Sequence, residues 1–495
     1  MDADVVVVGA GPTGLLLAGD LATAGARVTV LEKRPAGLSN LTRAFAVHAR
    51  TLEVLDARGL ADELVDGGRQ VRRIRLFGRV DVRLDMLPGR FPFVLVTPQF
   101  EVERLLRRRA EDAGATFRHD VRVTGLAQDE AEVALTTVDE DGAGARVRSP
   151  WVVGTDGVRS TVRRAAGVPF PGETVIQAMV LADVRLGRPP EDALTVASAG
   201  GALGFLAPFG DAWYRFIGWD EALHPDDDRP VDLDEVRALA RSTLGDDHDM
   251  TELRFATRFA ADERQAPRYR AGRVLLAGDA AHAHSPAGGL GMNTGLQDAA
   301  NLSWRLSAVV RGADEGVLDG YAAERHPVGR QVLRTSGTIL RVATRRGPAA
   351  SALRAAAAGV LARAAPVRRR AATTVSALGV RYPAPPGAHP AAGRRVPDVA
   401  LVPGGSGGRL AEALRAGRFV LVAPASGPPA DVPLAPGELS AADRAVVRRA
   451  DGRDTTLLVR PDGYLADARS PGATSDGAQG RELSNSWTRR NPSRR

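Results

Sequence analysis

Two stretches of the 495-residue chain combine small residues with one well-placed acid. Near the amino terminus, Gly9, Gly11 and Gly14 fall in G-x-G-x-x-G spacing within "GAGPTG", and Glu32 follows 21 positions after Gly11. Much later, "LLAGDAAHAHSPAGGLGMNTGLQDAANL", residues 275–302, closes an apolar run with Gly278 and Asp279 and then strips the side chains from its next turns. Glycines at such spacing allow a tight turn, close approach of backbone to a phosphate, and close packing of helix on strand. An acid at a strand end can accept hydrogen bonds from ligand hydroxyls, and bare backbone can lie against a flat ring.

The elements needed to hold the first stretch are legible around it. Residues 4–8 form a continuous apolar run of strand length, 12–24 have helical spacing with Gly25 as a stop, and 27–31 read as a second strand. This is a β-α-β unit, whose helix would aim free N–H groups and a partial positive charge at a diphosphate from Pro12 and Thr13 onward. Glu32 is placed for an adenosine ribose and would repel a 2′-phosphate, so the expected ligand is FAD or NAD and not NADP. In the second stretch, Pro286, Gly288, Gly289 and Gly291 leave backbone uncovered, and a helix is expected from about Asn293.

Composition removes other chemistries. The chain has no cysteine, which excludes disulfides, thiolate metal sites, iron–sulfur clusters and cysteine nucleophiles. Redox work therefore needs a bound cofactor. The formal charge is +7, but the basic residues are dispersed and aromatics make up only 5%, which argues against a nucleic-acid partner. Of the 66 basic residues only Lys33 is lysine. Neither a secretory signal nor an uninterrupted apolar run of membrane-spanning length is visible, so a cytoplasmic protein is expected. His282 and His284 look like a metal pair, yet no third ligand is suggested and no metal is expected; His48 reads as structural.

With "GAGPTG" from Gly9, "GTDGVRSTVR" from Gly154 and "AGDAAHAHSPAGGLGMNTGLQDAANL" from Ala277 in that order, the chain resembles the group A flavoprotein monooxygenases of the para-hydroxybenzoate hydroxylase type, and most closely their actinomycete polyketide-tailoring branch. The resemblance implies an α/β fold, with a Rossmann-like FAD domain interleaved with a substrate-binding β-sheet. It places Glu32 and Lys33 at the ribose, Arg43 and Arg50 near the diphosphate and ribityl region, Gln99 with Arg104 beside the ribityl chain, and Asp279 on ribityl hydroxyls. Pro286 to Asn293 would run along the isoalloxazine, with Met292 and Asn293 presenting backbone to its pyrimidine edge. Asp156 is implied in FAD and nicotinamide binding, the alternative being a turn acid that caps a helix at Val158. Arg215 is implied against the flavin, with Pro286 as a second flavin-positioning residue, and Tyr214, Phe216 and Trp219 are candidates for an aromatic substrate pocket or plain core. NADPH or NADH would reduce FAD, and dioxygen would form a flavin C4a-hydroperoxide that hydroxylates an aromatic ring. Baeyer–Villiger oxygen insertion on the same scaffold stays open. Halogenation is disfavoured, because Lys33 directly follows the ribose acid and a W-x-W-x-I-P pattern is missing.

The expected organisation is a discontinuous FAD domain (1–75, 94–174, 272–330), a sheet domain (76–93, 175–271), a helical connection (331–382), a thioredoxin-like module without cysteine (383–468) and a disordered tail (469–495). "RRVPDVAL" and "LLVRPDGYLA" carry the resemblance of the module. A monomer or homodimer is expected.

Overall fold

The computed structural model describes residues 1–37, 44–76, 80–192, 194–199, 201–221, 229–345, 363–404, 407–438 and 440–470, with isolated positions between 346 and 362. Four consecutive buried valines, Val5–Val8, pair in parallel with Val28–Leu31 on one side and Trp151–Gly154 on the other. A strand apolar on every position must be covered on both faces, which is the signature of a central parallel strand. Val274–Leu276 and Thr116–Arg118 extend the sheet, and Arg270–Ala271 closes one edge antiparallel. Helix Pro12–Thr23 follows the first strand with proline in its opening turn, where the missing N–H costs nothing. It packs on helix Leu290–Val310, which starts earlier than the expected Asn293, so Gly291 and Met292 belong to its first turn.

The contact of these two helices depends on glycine. A Cβ on Gly278 would stand 2.6 Å from Thr13 Oγ1, and one on Gly295 would stand 2.3 Å from it. Thr13 thus fills a hole made by two missing side chains, and the helices cross close enough for both of their amino-terminal ends to border one space.

An eight-stranded sheet stands beside the dinucleotide-type domain, in the order His282–Ala283, Met250–Gln265, Gly172–Leu186, Trp213–Trp219, Ala202–Pro208, Thr195–Ala199, Arg73–Leu76 and Val80–Arg83. It takes in Arg73–Leu76, ahead of the expected boundary at 76, and reaches back to Gly172. Helix Leu233–Leu244 covers one face through Val236, Leu239 and Ala240. Residues 122–149 form a separate three-stranded antiparallel sheet.

The carboxy-terminal module is a four-stranded mixed sheet, Ala445–Arg448, Val420–Ala423, Thr456–Val459 and Leu465–Arg469, with its own apolar core. Charge docks it onto the rest. Arg460 pairs with Glu324 at 2.7 Å and with Asp462 at 2.5 Å, Arg305 pairs with Glu324 at 2.9 Å, and Asn301 Nδ2 donates to both Glu324 and Asp462. Trp304 meets Phe419 edge-on. Among the described residues no helix is long and apolar enough to cross a membrane. Of the tail expected to be disordered, residues 471–495 lie outside the described residues.

Candidate active site

One cavity of about 890 Å3 runs between the two sheets. Its wall includes Gly11, Pro12 and Thr13 from the first turn, Asp279 and the run from Ala283 to Met292 from the late loop, and Leu203, Phe205, Ile217 and Phe259 from the large sheet. The two stretches separated by more than two hundred residues in sequence therefore face the same space.

The three early glycines differ in what constrains them. Gly9 holds φ +107°, and a Cβ on it would stand 2.6 Å from the Thr155 carbonyl oxygen; at Gly14 a Cβ would stand 2.1 Å from the Gly9 carbonyl oxygen. Gly11 is the opposite case: among the described residues a Cβ there meets no atom within 4 Å, although the residue lines the cavity. Protein packing explains the first and third glycines, and the space over the second is left for a ligand. Gly11→Val is accordingly expected to leave the unfolding midpoint nearly unchanged while abolishing FAD retention. Parallel denaturation and flavin-absorbance measurements check both halves.

Glu32 accepts from the Ala10 N–H at 2.7 Å and from Arg34 at 2.9 and 3.0 Å, and these contacts hold its carboxyl below the ordinary range despite burial. Lys33 is exposed; its neighbour Arg34, which the sequence reading passed over, is a basic residue on the cavity wall. Gln99 lines the cavity, accepts from the Ala44 N–H at 3.2 Å, and donates at 2.8 Å to Glu103, whose carboxyl burial pushes up. Glu103 is one turn on from Gln99 and shares its face; Arg104 is rotated away and pairs with Glu101 and Glu63 at the surface. Arg104 is thus not on the cavity, and the helical spacing contained the signal for Glu103.

Arg50 corrects a second expectation. Its guanidinium donates to the Asp462 carbonyl oxygen and to Glu53, and stacks over Tyr464 at 4.8 Å. It fastens the carboxy-terminal module and does not line the cavity. Arg43 lies outside the described residues.

Asp156 braces the start of helix Thr161–Ala165, its Oδ2 accepting from the N–H groups of Thr161 and Val162, whereas its Oδ1 is buried with no partner among the described residues. The helix therefore starts at Thr161, not Val158, and its N-cap is Ser160, whose side chain accepts from the Arg163 N–H at 2.9 Å. Thr155, Gly157, Val158 and Arg159 around it line the cavity.

On strand Trp213–Trp219, alternation puts Tyr214 and Phe216 on the face covered by helix Leu233–Leu244. They pack there and are not pocket residues. Trp219 packs beside Ile217 at the cavity side. Arg215 is fully buried, bonded to Asp183 at 2.8 and 3.0 Å and stacked on Phe209 at 3.5 Å, so the expected flavin contact gives way to an internal ion pair. A strand sandwiched between a cavity and a helix is apolar on both faces, and its pattern alone could not say which face was which.

The late loop is held from both sides. Gly288 and Gly289 have φ +89° and +62°, and Gly289 caps helix Leu290–Val310. The first-turn N–H groups of Leu290, Gly291 and Met292 have no intrahelical acceptor, so the positive end of the helix borders the cavity. Asn293 points inward, its side chain accepting from the His48 N–H and donating to the carbonyls of Ala46 and Gly289. His48 is buried on the cavity wall, and desolvation pushes it down to about 4. Asp279 is exposed on that wall, and Pro286 lies on it too.

Behind the loop runs a polar chain. His284 and His282 meet Nε2 to Nδ1 at 3.0 Å, His282 Nε2 meets Asp298 at 2.6 Å, and the other oxygen of Asp298 accepts from Arg325 at 2.6 Å. Arg325 continues to the Tyr382 hydroxyl at 3.1 Å. The ion pair with Arg325 and the hydrogen bond from His282 hold Asp298 down to about 2 despite its burial; burial pushes His284 down to about 3. Both nitrogens of His282 are engaged, so the histidines cannot chelate as a pair. Among the described residues no group of three or more His, Asp or Glu could hold a metal ion.

Comparison with known proteins agrees with this geometry. A family model described as "FAD binding domain" matches residues 2–336, and one described as "Aromatic-ring hydroxylase, C-terminal" matches residues 389–489. A 12-dehydrotetracycline 5-monooxygenase/anhydrotetracycline 6-monooxygenase of Streptomyces rimosus is 38% identical over 96% of this chain and 97% of its own length. A rifampicin monooxygenase of Streptomyces venezuelae is 38% identical over 93% of this chain and 94% of its own. The structure of an anhydrotetracycline hydroxylase from Streptomyces rimosus superposes with a TM-score of 0.82 at 36% identity, covering 95% of this chain and 96% of that one. A phosphate-type turn, a glycine-rich loop at a helix start and an apolar sheet wall around one cavity thus coincide with matches along nearly the whole chain, which belongs to the family of FAD-dependent aromatic-ring monooxygenases.

Proposed function

We propose that the protein hydroxylates a polycyclic phenolic compound of the polyketide or antibiotic class, in the cytoplasm, as a monomer or homodimer, consuming dioxygen and NADPH or NADH. The observation that carries this reading is the continuity of the cavity, from the Gly11 turn past the late loop to the apolar wall of Leu203, Phe205, Ile217 and Phe259. The open space over Gly11 and the first-turn N–H groups fit a dinucleotide with a flat ring system. Bound there, FAD supplies the two-electron and dioxygen chemistry that a cysteine-free chain lacks.

In this reading the chain's own residues bind, orient and dry the site. Glu32 and Arg34 take the adenosine end, and Gln99 and Asp279 take the linker hydroxyls. The helix start at Leu290 stabilises negative charge gathering on the ring. The sheet wall excludes water and lays an aromatic ring against the loop. Substrates of the two relatives are the natural probes. FAD-loaded protein given NADPH or NADH, labelled dioxygen and either anhydrotetracycline or rifampicin is expected to add one labelled oxygen to the compound it accepts, as read by mass spectrometry. A product with its ring carbons intact supports hydroxylation, ring expansion to a lactone supports the Baeyer–Villiger alternative, and reduced nucleotide consumed with no labelled product from either compound counts against the substrate class.

A further inference from the structure

The chain from His284 to Arg325 settles where its protons sit. Asp298 accepts with both oxygens, from Arg325, from His282 and from the Gly278 N–H at 3.1 Å, so it is the ionised acceptor and His282 Nε2 carries a proton toward it. Arg325 already balances that charge. A second proton on His282 would leave net positive charge in a site with no solvent exposure, so the ring is neutral and its Nδ1 is a lone pair. The hydrogen bond to His284 then has one direction: His284 Nε2 donates and His282 Nδ1 accepts. A neutral His284 with its proton on Nε2 has an unprotonated Nδ1. That nitrogen sits 3.6 Å from where a Cβ on Gly291 would stand, His284 and Gly291 both line the cavity, and no protein group among the described residues bonds to it.

We propose that His284 is a positioning residue: its Nδ1, locked as a lone pair by His282, Asp298 and Arg325, accepts a hydrogen bond from an O–H or N–H donor on the small molecule bound in the cavity. The free backbone groups of the neighbouring helix start are donors, so His284 adds a complementary acceptor beside Gly291. The donor is either a ring N–H of the flavin or a phenolic hydroxyl of the aromatic compound. The inference rests on the functional reading for its ligand, but its first measurement does not.

Ring-nitrogen NMR of 15N-histidine protein, with His284 identified by comparison with His284→Gln, tests it. In FAD-stripped protein His284 is expected to show a protonated Nε2 and an unprotonated Nδ1; a protonated Nδ1 overturns the proposal whatever the enzyme's substrate. On adding FAD, a shift of the Nδ1 resonance in the hydrogen-bonding direction assigns the donor to the flavin. A shift only when anhydrotetracycline joins the FAD-loaded protein assigns it to the aromatic hydroxyl. A resonance unmoved by both overturns the proposal. His284→Leu is then expected to weaken the ligand that moved the resonance roughly tenfold, about one hydrogen bond. His284→Gln, which keeps an acceptor, should restore most of that affinity. Equal losses in the two variants would mean that the ring only fills space, and would also overturn the assignment.

Discussion

Asp298→Ala is expected to destabilise the protein by about 3–5 kcal/mol, the cost of leaving a buried partner charge uncompensated. Arg325 has no solvent exposure, and its remaining contacts, the Tyr382 hydroxyl and the Thr294 carbonyl, are neutral. The same substitution removes the acceptor of the Gly278 N–H and of His282 Nε2, so three buried donors lose one carboxylate. Urea denaturation of the FAD-stripped variant against wild type measures the loss without contribution from ligand binding. A double replacement, Asp298→Ala with Arg325→Met, is expected to recover a large part of it, because the penalty lies in the orphaned charge more than in the pair. A loss under 1 kcal/mol in the single variant would show that water reaches Arg325.

Mild acid is the second large effect. His48 and His284 stay neutral in the folded protein down to about 4 and about 3, against an ordinary 6.5. Between pH 6.5 and 4 the unfolded chain therefore binds protons at these positions and the folded protein does not, so stability rises with pH and falls on acidification. Each such histidine contributes a slope of about 1.4 kcal/mol per pH unit. His326 and His389, also pushed down by burial, act with the same sign. Glu103 and Glu263, pushed up by burial, act with the opposite sign just above pH 4.5. Asp298, held down to about 2, contributes its share above about pH 4 and loses it only as the pH falls through 2. Urea midpoints from pH 7 to 4.5 should fall steeply in wild type, and His48→Leu should flatten the curve by one histidine's slope. An unchanged slope would remove His48 from this account.

Much of this was legible in the chain because the cofactor end is made of backbone. Glycines forced by close approach leave their mark in sequence, and the β-α-β run around Gly9 to Glu32 could be read residue by residue. The pairing of Val5–Val8 between two distant strands follows from its unbroken apolar run. What could not be read is direction. Arg50 and Arg104 were placed at the cofactor by resemblance alone, and nothing local says that one turns to the carboxy-terminal module and the other to surface carboxylates. Tyr214 and Phe216 failed for a related reason, since both faces of their strand are covered. His284 was visible only as half of an apparent metal pair; the partner that gives it another meaning, Asp298, lies about two turns into the next helix and comes into register only in three dimensions.

Helix Leu290–Val310 has its opening turn at the cavity and its later turns, through Asn301, Trp304 and Arg305, against Asp462, Phe419 and the Glu324–Arg460 pair. A single rod is thus anchored at the rear by a module that, among the described residues, supplies none of the cavity's lining. Occupancy at the front and docking at the rear then share one rigid lever, so whatever tightens one end steadies the other. The cysteine-free module would serve as a brace for the site, a role that needs no thiol.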